Sequence, residues 1–373
     1  MTGRQEYNFS ALLLDENISY GIVQPGFHTE IDSVPIVRVN NIKGGKIQTN
    51  DVLKVSSAIE QKYQRTRLEG GELLITVVGS IGECAIVPDS LKGWNVARAV
   101  SVARIKKDFD KRYIKYCFKS EDIKFQMYGK TNDTVQPTLN LSSLKSLVLS
   151  IPSLPEQKAI AAVLSSLDDK IDLLYRQNQT LEAMAASLFR QWFVEESQED
   201  WDEVKLGDFF PVVTGKRDAN FSIDDGEYPF FTCSQAALKA PSFSFEGAAI
   251  LLTGNGDFNV KRFIGKFEAY QRTYVLIPYD IKYFSFLYTL MRFYLAEITG
   301  GHQGSVINFI TKGMITEFKF NLPNEHINID EKLAQFNELY EKIDSNNFQI
   351  KTLEKLRDTL LPKLMSGEVR VTC

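Results

Sequence analysis

The stretch KIDLLYRQNQTLEAM at residues 170–184 is answered by KIDSNNFQIKTLEKL at residues 342–356, one helical phrase written twice. Working outward from the first copy, the chain from Glu156 to Phe193 contains neither Gly nor Pro, which predicts one long helix. Along it Ile160, Leu164, Leu167, Ile171, Leu174, Asn178, Leu181, Ala185, Leu188 and Trp192 alternate steps of four and three, the seam of a coiled coil. Around the second copy, residues 329–366 predict another long helix, interrupted only late, at Pro362. The register that superposes the two copies gives this helix a seam of Phe336, Leu339, Ile343, Asn346, Ile350, Leu353, Arg357, Leu360 and Leu364. Each seam holds one asparagine, a residue that costs stability there but disfavours slipped registers because it needs a polar partner at its own level. Superposed on the first helix, Asn346 falls at Leu174 rather than at Asn178. The two asparagines therefore meet only if the helices run antiparallel with one particular stagger.

The chain ahead of each helix is of another kind. Residues 34–47 (VPIVRVNNIKGGKI), 72–87 (ELLITVVGSIGECAIV) and 95–105 (NVARAVSVARI) are β-type runs punctuated by turn residues, and residues 209–215, 228–234, 248–256 and 273–278 are alike in character. Landmarks recur in order: Gly79-Ser-Ile-Gly82 and Gly254-Asn-Gly-Asp257, then Arg98 and Arg272, then Leu139-Asn140-Leu and Ile307-Asn308-Phe, then strands ending at Pro152 and Pro323. The fold expected is α+β. Two β-rich globular domains, residues 1–152 and 198–324, are separated by a central helix (153–197) and followed by a distal helix and tail (325–373). The helices pack as an antiparallel coiled coil, and the whole forms an internal pseudo-two-fold repeat.

Composition restricts the function. With 373 residues, 44% apolar, 24% charged and a net charge of −4, the chain is globular and shows no overall basic signature. The four cysteines have no close pairing, and His28, His302 and His326 have no ligand at metal spacing. No basic leader or run of about 18 apolar residues occurs, so a cytoplasmic protein with no membrane span is expected. There is no phosphate loop, nucleophile elbow, dinucleotide fingerprint or Asn/Asp-Pro-Pro-aromatic methyltransferase motif. The pairs Asp168-Asp169 and Asp224-Asp225 read as solvated, and Glu156-Gln-Lys158 opens a helix without an acidic partner upstream. No active site and no metal site are expected.

Polar loops on the β domains suit recognition of nucleic acid. Arg38, Asn40, Asn41 and Lys43 adjoin Gly44-Gly45, Ser80 sits in the glycine turn, and Lys130, Asn132 and Gln136 form a second loop. In the other domain Lys216 and Arg217 follow Gly215, while Thr253, Asn255, Asn259, Lys261 and Arg262 surround the glycine turn. His302, Gln303 and Ser305 follow Gly300-Gly301. Arg98 and Arg272 match between repeats, which fits either equivalent DNA contacts or equivalent ion pairs.

Taken with Leu154-Pro-Glu-Gln-Lys158 opening the central helix, Ser187-Leu-Phe-Arg-Gln-Trp-Phe193 closing it and Leu360-Leu-Pro-Lys-Leu-Met-Ser-Gly-Glu368 ending the distal one, this layout resembles the specificity subunits of type I restriction-modification systems. The second copy departs in having Pro323-Asn-Glu-His-Ile327 where the family has a Pro-Glu-Gln opening. The resemblance implies a non-catalytic subunit in which each β-rich domain is a target-recognition domain for half of a bipartite, asymmetric sequence in double-stranded DNA. It implies docking of two methyltransferase subunits, through seam residues such as Leu164 and Leu360 and their neighbours, and of restriction motor-nuclease subunits. S-adenosylmethionine, ATP and Mg would be bound in those partners and no cofactor here. A helix of about 38 residues spans roughly 57 Å, so half-sites up to roughly 17 base pairs apart are expected. The competing reading, a coiled-coil scaffold whose β domains bind protein ligands, explains the helices but not the matched polar loops.

Overall fold

The computed structural model describes residues 3–131, 137–256, 258–300, 309–323 and 329–371. Its contacts divide the chain into two compact units, Met1–Asp172 with Lys351–Cys373, and Leu173–Ile350. Each unit is a β-rich domain with a length of both long helices, α5 (Leu154–Arg190) and α9 (Asp330–Ser366).

In the first unit β1 (Gln5–Asn8) pairs antiparallel with β11 (Val148–Ile151), closing the domain just before α5 begins. Between them lies a four-stranded antiparallel sheet in the order β2 (Leu13–Tyr20), β10 (Val100–Ile105), β7 (Leu73–Thr76), β8 (Cys84–Ile86). A second sheet has the order β6 (Leu53–Ser56), β3 (Ser33–Val37), β9 (Asn95–Val96), and β4 (Ile42–Lys43) and β5 (Lys46–Ile47) form a hairpin. The helices are α1 (Ser57–Glu60), α2 (Lys111–Cys117), α3 (Glu121–Tyr128) and α4 (Leu141–Lys145). Asp110, Ser120 and Asn140 cap the last three by accepting backbone N–H groups. All four residues of β7 are buried. The core joins Phe9, Leu73, Ile75, Tyr113 and Tyr116 to Ile160 and Leu164 of α5 and Leu364 of α9. Within this unit α5 and α9 run antiparallel: Asp168 meets Arg357, and Arg4 bridges Glu156 to the carbonyls of Leu364 and Met365.

The second unit repeats the plan with its strands merged. β12 (Asp202–Lys205) pairs antiparallel with β19 (Lys319–Leu322), again just ahead of a long helix. One six-stranded sheet follows the order β13 (Val212–Thr214), β18 (Thr273–Leu276), β16 (Phe245–Thr253), β17 (Val260–Ala269), β14 (Tyr228–Phe231), β15 (Leu238–Ala240). β17 runs unbroken to Ala269 and there pairs in parallel with β14. In the first unit β8 stops at Ile86, and the corresponding pairing of β9 with β3 belongs to a separate sheet. α6 (Phe284–Phe293) buries nearly its whole length, and α7 (Leu295–Ile298) and α8 (Lys312–Thr316) complete the unit. Phe193 near the end of the first long helix packs 4.7 Å from Phe286 and 6.2 Å from Phe336, ring centroid to centroid, so the helices and the domain share one aromatic core.

Every seam residue of the two helices is buried or half-buried. The seam asparagines lie in the second unit, where Asn346 Nδ2 donates to Asn178 Oδ1 at 2.8 Å and Asn178 Nδ2 to Asn347 Oδ1 at 2.9 Å. The antiparallel stagger needed for that meeting is present, with Trp192 against Phe336 further along.

Two expectations need correction. α9 continues through Pro362 to Ser366, because Leu360, Leu361, Leu364 and Met365 pack on the first unit's core and hold the final turns although one backbone donor is missing. Asp168 is not solvated. Its carboxylate accepts from Tyr116 Oη at 2.8 Å and from Arg357 at 3.1 Å, with Lys119 at 3.9 Å. Burial pushes this carboxyl up, but the Lys119 charge and the hydrogen bonds from Tyr116 and Arg357 outweigh it and hold the group below the usual carboxylate range.

Candidate nucleic-acid interface

At one end of the main sheet in each unit, four chain segments converge through the same backbone hydrogen bonds. In the first unit Leu139 N–H donates to the Val77 carbonyl, Val77 N–H to Ala99 and Arg98 N–H to Ile22. In the second, Ile310 N–H donates to Gly254, Gly254 N–H to Arg272 and Gln271 N–H to Arg217. A glycine leads into each site. A Cβ on Gly21 would lie 2.0 Å from the Val96 carbonyl oxygen, and one on Gly215 would lie 2.2 Å from that of Tyr270. No side chain fits where these strands pass, so the glycines are a steric requirement of the site.

The same bonds correct the alignment of the repeats. Arg98 occupies the place of Gln271, and Arg272 that of Ala99. The turns ahead of them differ in length: Thr76 N–H reaches Glu83 in one, and Thr253 N–H reaches Asn259 in the other. The segment after the turn differs as well, since Arg98 lies 21 residues after Val77 and Gln271 only 17 after Gly254, so counting from the glycine turn does not align the repeats. Arg98, Gln271 and Arg272 are all exposed, and none has a side-chain partner among the described residues. In the second unit Gln271, Arg272, Asn255, Tyr274 and Phe309 line a depression of about 260 Å³. Phe309 ends the Ile307-Asn308-Phe landmark but was not among the candidate site residues, nor was Gln271, whose only signal is its position beside Arg272.

The other polar residues divide by what they touch. Asn40, Lys43 and Ser80 face solvent. Asn41 is buried, accepting Arg38 N–H and donating to the Asp51 carbonyl, while Arg38 reaches Asp51 as well; together they clamp the base of the β4–β5 hairpin. Lys130 is tied to Ser146. Lys216 lies 5.2 Å from the Phe245 ring, and Arg217 pairs with buried Glu268 and stacks on Phe221. Thr253 is buried and accepts Asn259 N–H, holding the glycine turn, and Asn255 accepts from the Cys233 thiol. Lys261 donates to the carbonyls of Thr232 and Ser234, and burial lowers its ammonium below the usual lysine range. Asn132, Gln136, His302, Gln303 and Ser305 lie outside the described residues.

Arg262 faces a long helix. Its guanidinium pairs with Asp344 at 2.8 Å and lies 4.8 Å from the rings of both Phe284 and Tyr340. Asp172, the corresponding residue of the other KID, pairs with Lys46 of β5 in the first unit. The aspartate of each repeated phrase thus fastens the β-rich domain of its own unit to the helix. Among the described residues no group of three or more His, Cys, Asp and Glu could hold a metal, and no helix is long and apolar enough to cross a membrane.

Comparison with known proteins agrees with this duplicated plan. The family described as type I restriction modification DNA specificity domain matches residues 26–183 and again 198–355. The chain is 42% identical over 173 residues to the type I restriction enzyme EcoDI specificity subunit of Escherichia coli, a match covering 46% of this chain and 39% of that one. It is 28% identical over 345 residues to the MjaIX specificity subunit of Methanocaldococcus jannaschii, covering 81% and 78%. The crystal structure of a type I restriction-modification S subunit from M. genitalium superposes with a TM-score of 0.62 at 17% identity, over 97% of this chain and 96% of that one, which establishes likeness of fold.

Proposed function

The chain belongs to the type I restriction modification DNA specificity domain family, and on that premise we propose that it is the subunit that reads DNA for a type I restriction-modification complex. The observation that carries this reading is the converging edge found in both units, with Arg98 in one and Gln271 and Arg272 in the other left unoccupied by the protein. An arginine can donate two hydrogen bonds to guanine O6 and N7, and a glutamine can pair with adenine N6 and N7 in the major groove. Two different polar sets, one per domain, would read two different half-sites. Asn40, Lys43 and Ser80 would add backbone or base contacts in the first half-site.

Two methyltransferase subunits would dock on the chain, and restriction subunits would join them. S-adenosylmethionine, ATP and Mg would be held in those partners, and methyl transfer to adenine would take place there. A protein-binding scaffold would give no reason for uncommitted arginine and glutamine side chains at the matching edges.

The test is to express the full chain with the methyltransferase subunit of its own system and to sequence methylated adenines across the host genome. The expected outcome is a bipartite motif with a fixed gap; an absence of any such motif in cells where the complex assembles would sink the reading. Arg272→Ala is expected to relax one half of the motif, at a cost of about 1–3 kcal/mol in discrimination, and to leave the other half unchanged.

A further inference from the structure

Two exposed aromatic rings are carried on segments that lead from these edges. Phe27 is 97% exposed and Phe309 63% exposed, and neither has a ring or cation partner among the described residues. Single exposed apolar residues are common on protein surfaces, so the weight falls on where these two are placed and how they are held.

The loop that carries Phe27 leaves the sheet at Ile22, whose N–H donates to the Val96 carbonyl at 2.8 Å and whose carbonyl accepts Arg98 N–H at 2.9 Å. It returns at His28 and Thr29. Lys54 N–H donates to His28 Nδ1, and Thr29 N–H to the Lys54 carbonyl, both at 3.2 Å. Pro25 restricts the backbone just ahead of the ring. Phe27 is therefore carried at the tip of a segment fixed on both sides, and little freedom is lost when it makes contact. Of the acidic residues nearby, Glu30 is paired with Lys54 and bonded to His28, while Asp32 accepts from the Ser57 hydroxyl and keeps its charge.

The second unit departs at the corresponding point. There Arg217 folds over Phe221, 4.4 Å from its ring, and Phe221 packs edge-on against Phe230. The ring left bare is Phe309 instead, bridged through its backbone to Asn255 and lining the depression with Gln271 and Arg272. Phe309 thus lines the same depression as Arg272, and Phe27 is carried on the loop that leaves from Ile22, the residue bonded to Arg98, and returns against β6.

We infer that Phe27 and Phe309 are wedges that stack on a base step of duplex DNA, one in each half-site, next to the base edges read by the neighbouring polar side chains. This rests on the DNA-reading function proposed above. Apolar side chains inserted between base pairs unstack and kink the duplex. Stacking accepts any base, because every base has a π face. The rings would therefore contribute grip and local distortion, and the arginines and glutamine would contribute sequence.

The experiment uses the full chain with its methyltransferase subunit and two duplexes, one selected from a random pool by the wild-type complex and one unselected. Phe27→Ala and Phe309→Ala are each expected to weaken binding to both duplexes about 5- to 100-fold, with the unfolding temperature unchanged. Phe27→Trp retains binding, and Phe125→Ala, which removes an 80% exposed ring from α3, leaves it unaltered. Arg272→Ala weakens the selected duplex alone. Wild-type affinity in both alanine variants, or a loss in Phe27→Trp equal to that in Phe27→Ala, overturns the wedge, as would an equal loss in Phe125→Ala. A wild-type complex that prefers no sequence refutes the reading beneath it, whereas one that selects a sequence yet ignores both rings refutes the wedge alone.

Discussion

Asp168 shows how one carboxylate can join three parts of a unit: the hydroxyl of Tyr116 from α2, the Lys119 charge just beyond it, and Arg357 from α9. Its proton affinity is lower in the folded chain than in an open one. Stability drawn from it is therefore present in full above the unfolded value, about 3.9, and is lost as pH falls through the lower folded value. Asp168→Asn is expected to cost about 1–3 kcal/mol near pH 7, with the difference from wild type shrinking below about pH 4. Thermal melts of both proteins between pH 3 and pH 7 would check this, and a difference that persists unchanged into acid would contradict it. Nothing in the sequence near Asp168-Asp169 indicated such a hub, because its partners come from the end of α2, far back along the chain, and from α9, far ahead. Arg262 escaped for the same reason. A cation beside a glycine turn looks like a DNA contact until Asp344, Phe284 and Tyr340 are found around it.

At the scale of elements, the long helices were legible because their seam repeats at the coiled-coil period, and burial falls where the spacing puts it. The asparagines carried more: their inequivalent positions specified both direction and stagger. Asn346→Leu alone is expected to destabilise the protein by about 1–3 kcal/mol, since Asn178 would be left facing an apolar neighbour. Adding Asn178→Leu should recover much of that loss, giving a coupling of about 0.5–3 kcal/mol in a double-mutant cycle by denaturant unfolding. Strictly additive costs would show that the pair does not act as one layer. The sheets were less legible. Which strand neighbours which depends on long-range pairing, and the merger of six strands in the second unit hangs on β17 continuing to Ala269. The exchange of Arg98 with Gln271 is the clearest instance, because the turn and the segment after it both differ in length between the repeats.

For the whole molecule, the division into units cuts across the linear order of domain and helix, because each long helix gives a length to both units. If the chain reads two half-sites as proposed, helix length is expected to set the gap between them. Inserting one heptad after Tyr175 and another after Ile350 keeps the seam in phase and lengthens each helix by roughly 10.5 Å. The methylated motif is expected to keep both half-sites while its gap grows by about three base pairs. Sequencing of methylated adenines would measure the gap, and an unchanged value would detach helix length from spacing.

The first unit is assembled from both ends of the described chain, with Arg4 bonded to the carbonyls of Leu364 and Met365, whereas the second is one continuous stretch. During synthesis, residues 351–371 leave the ribosome after every residue of the second unit. The domain translated first therefore waits, with Ile160 and Leu164 lacking Leu364 of their shared core, until the domain translated second has been made.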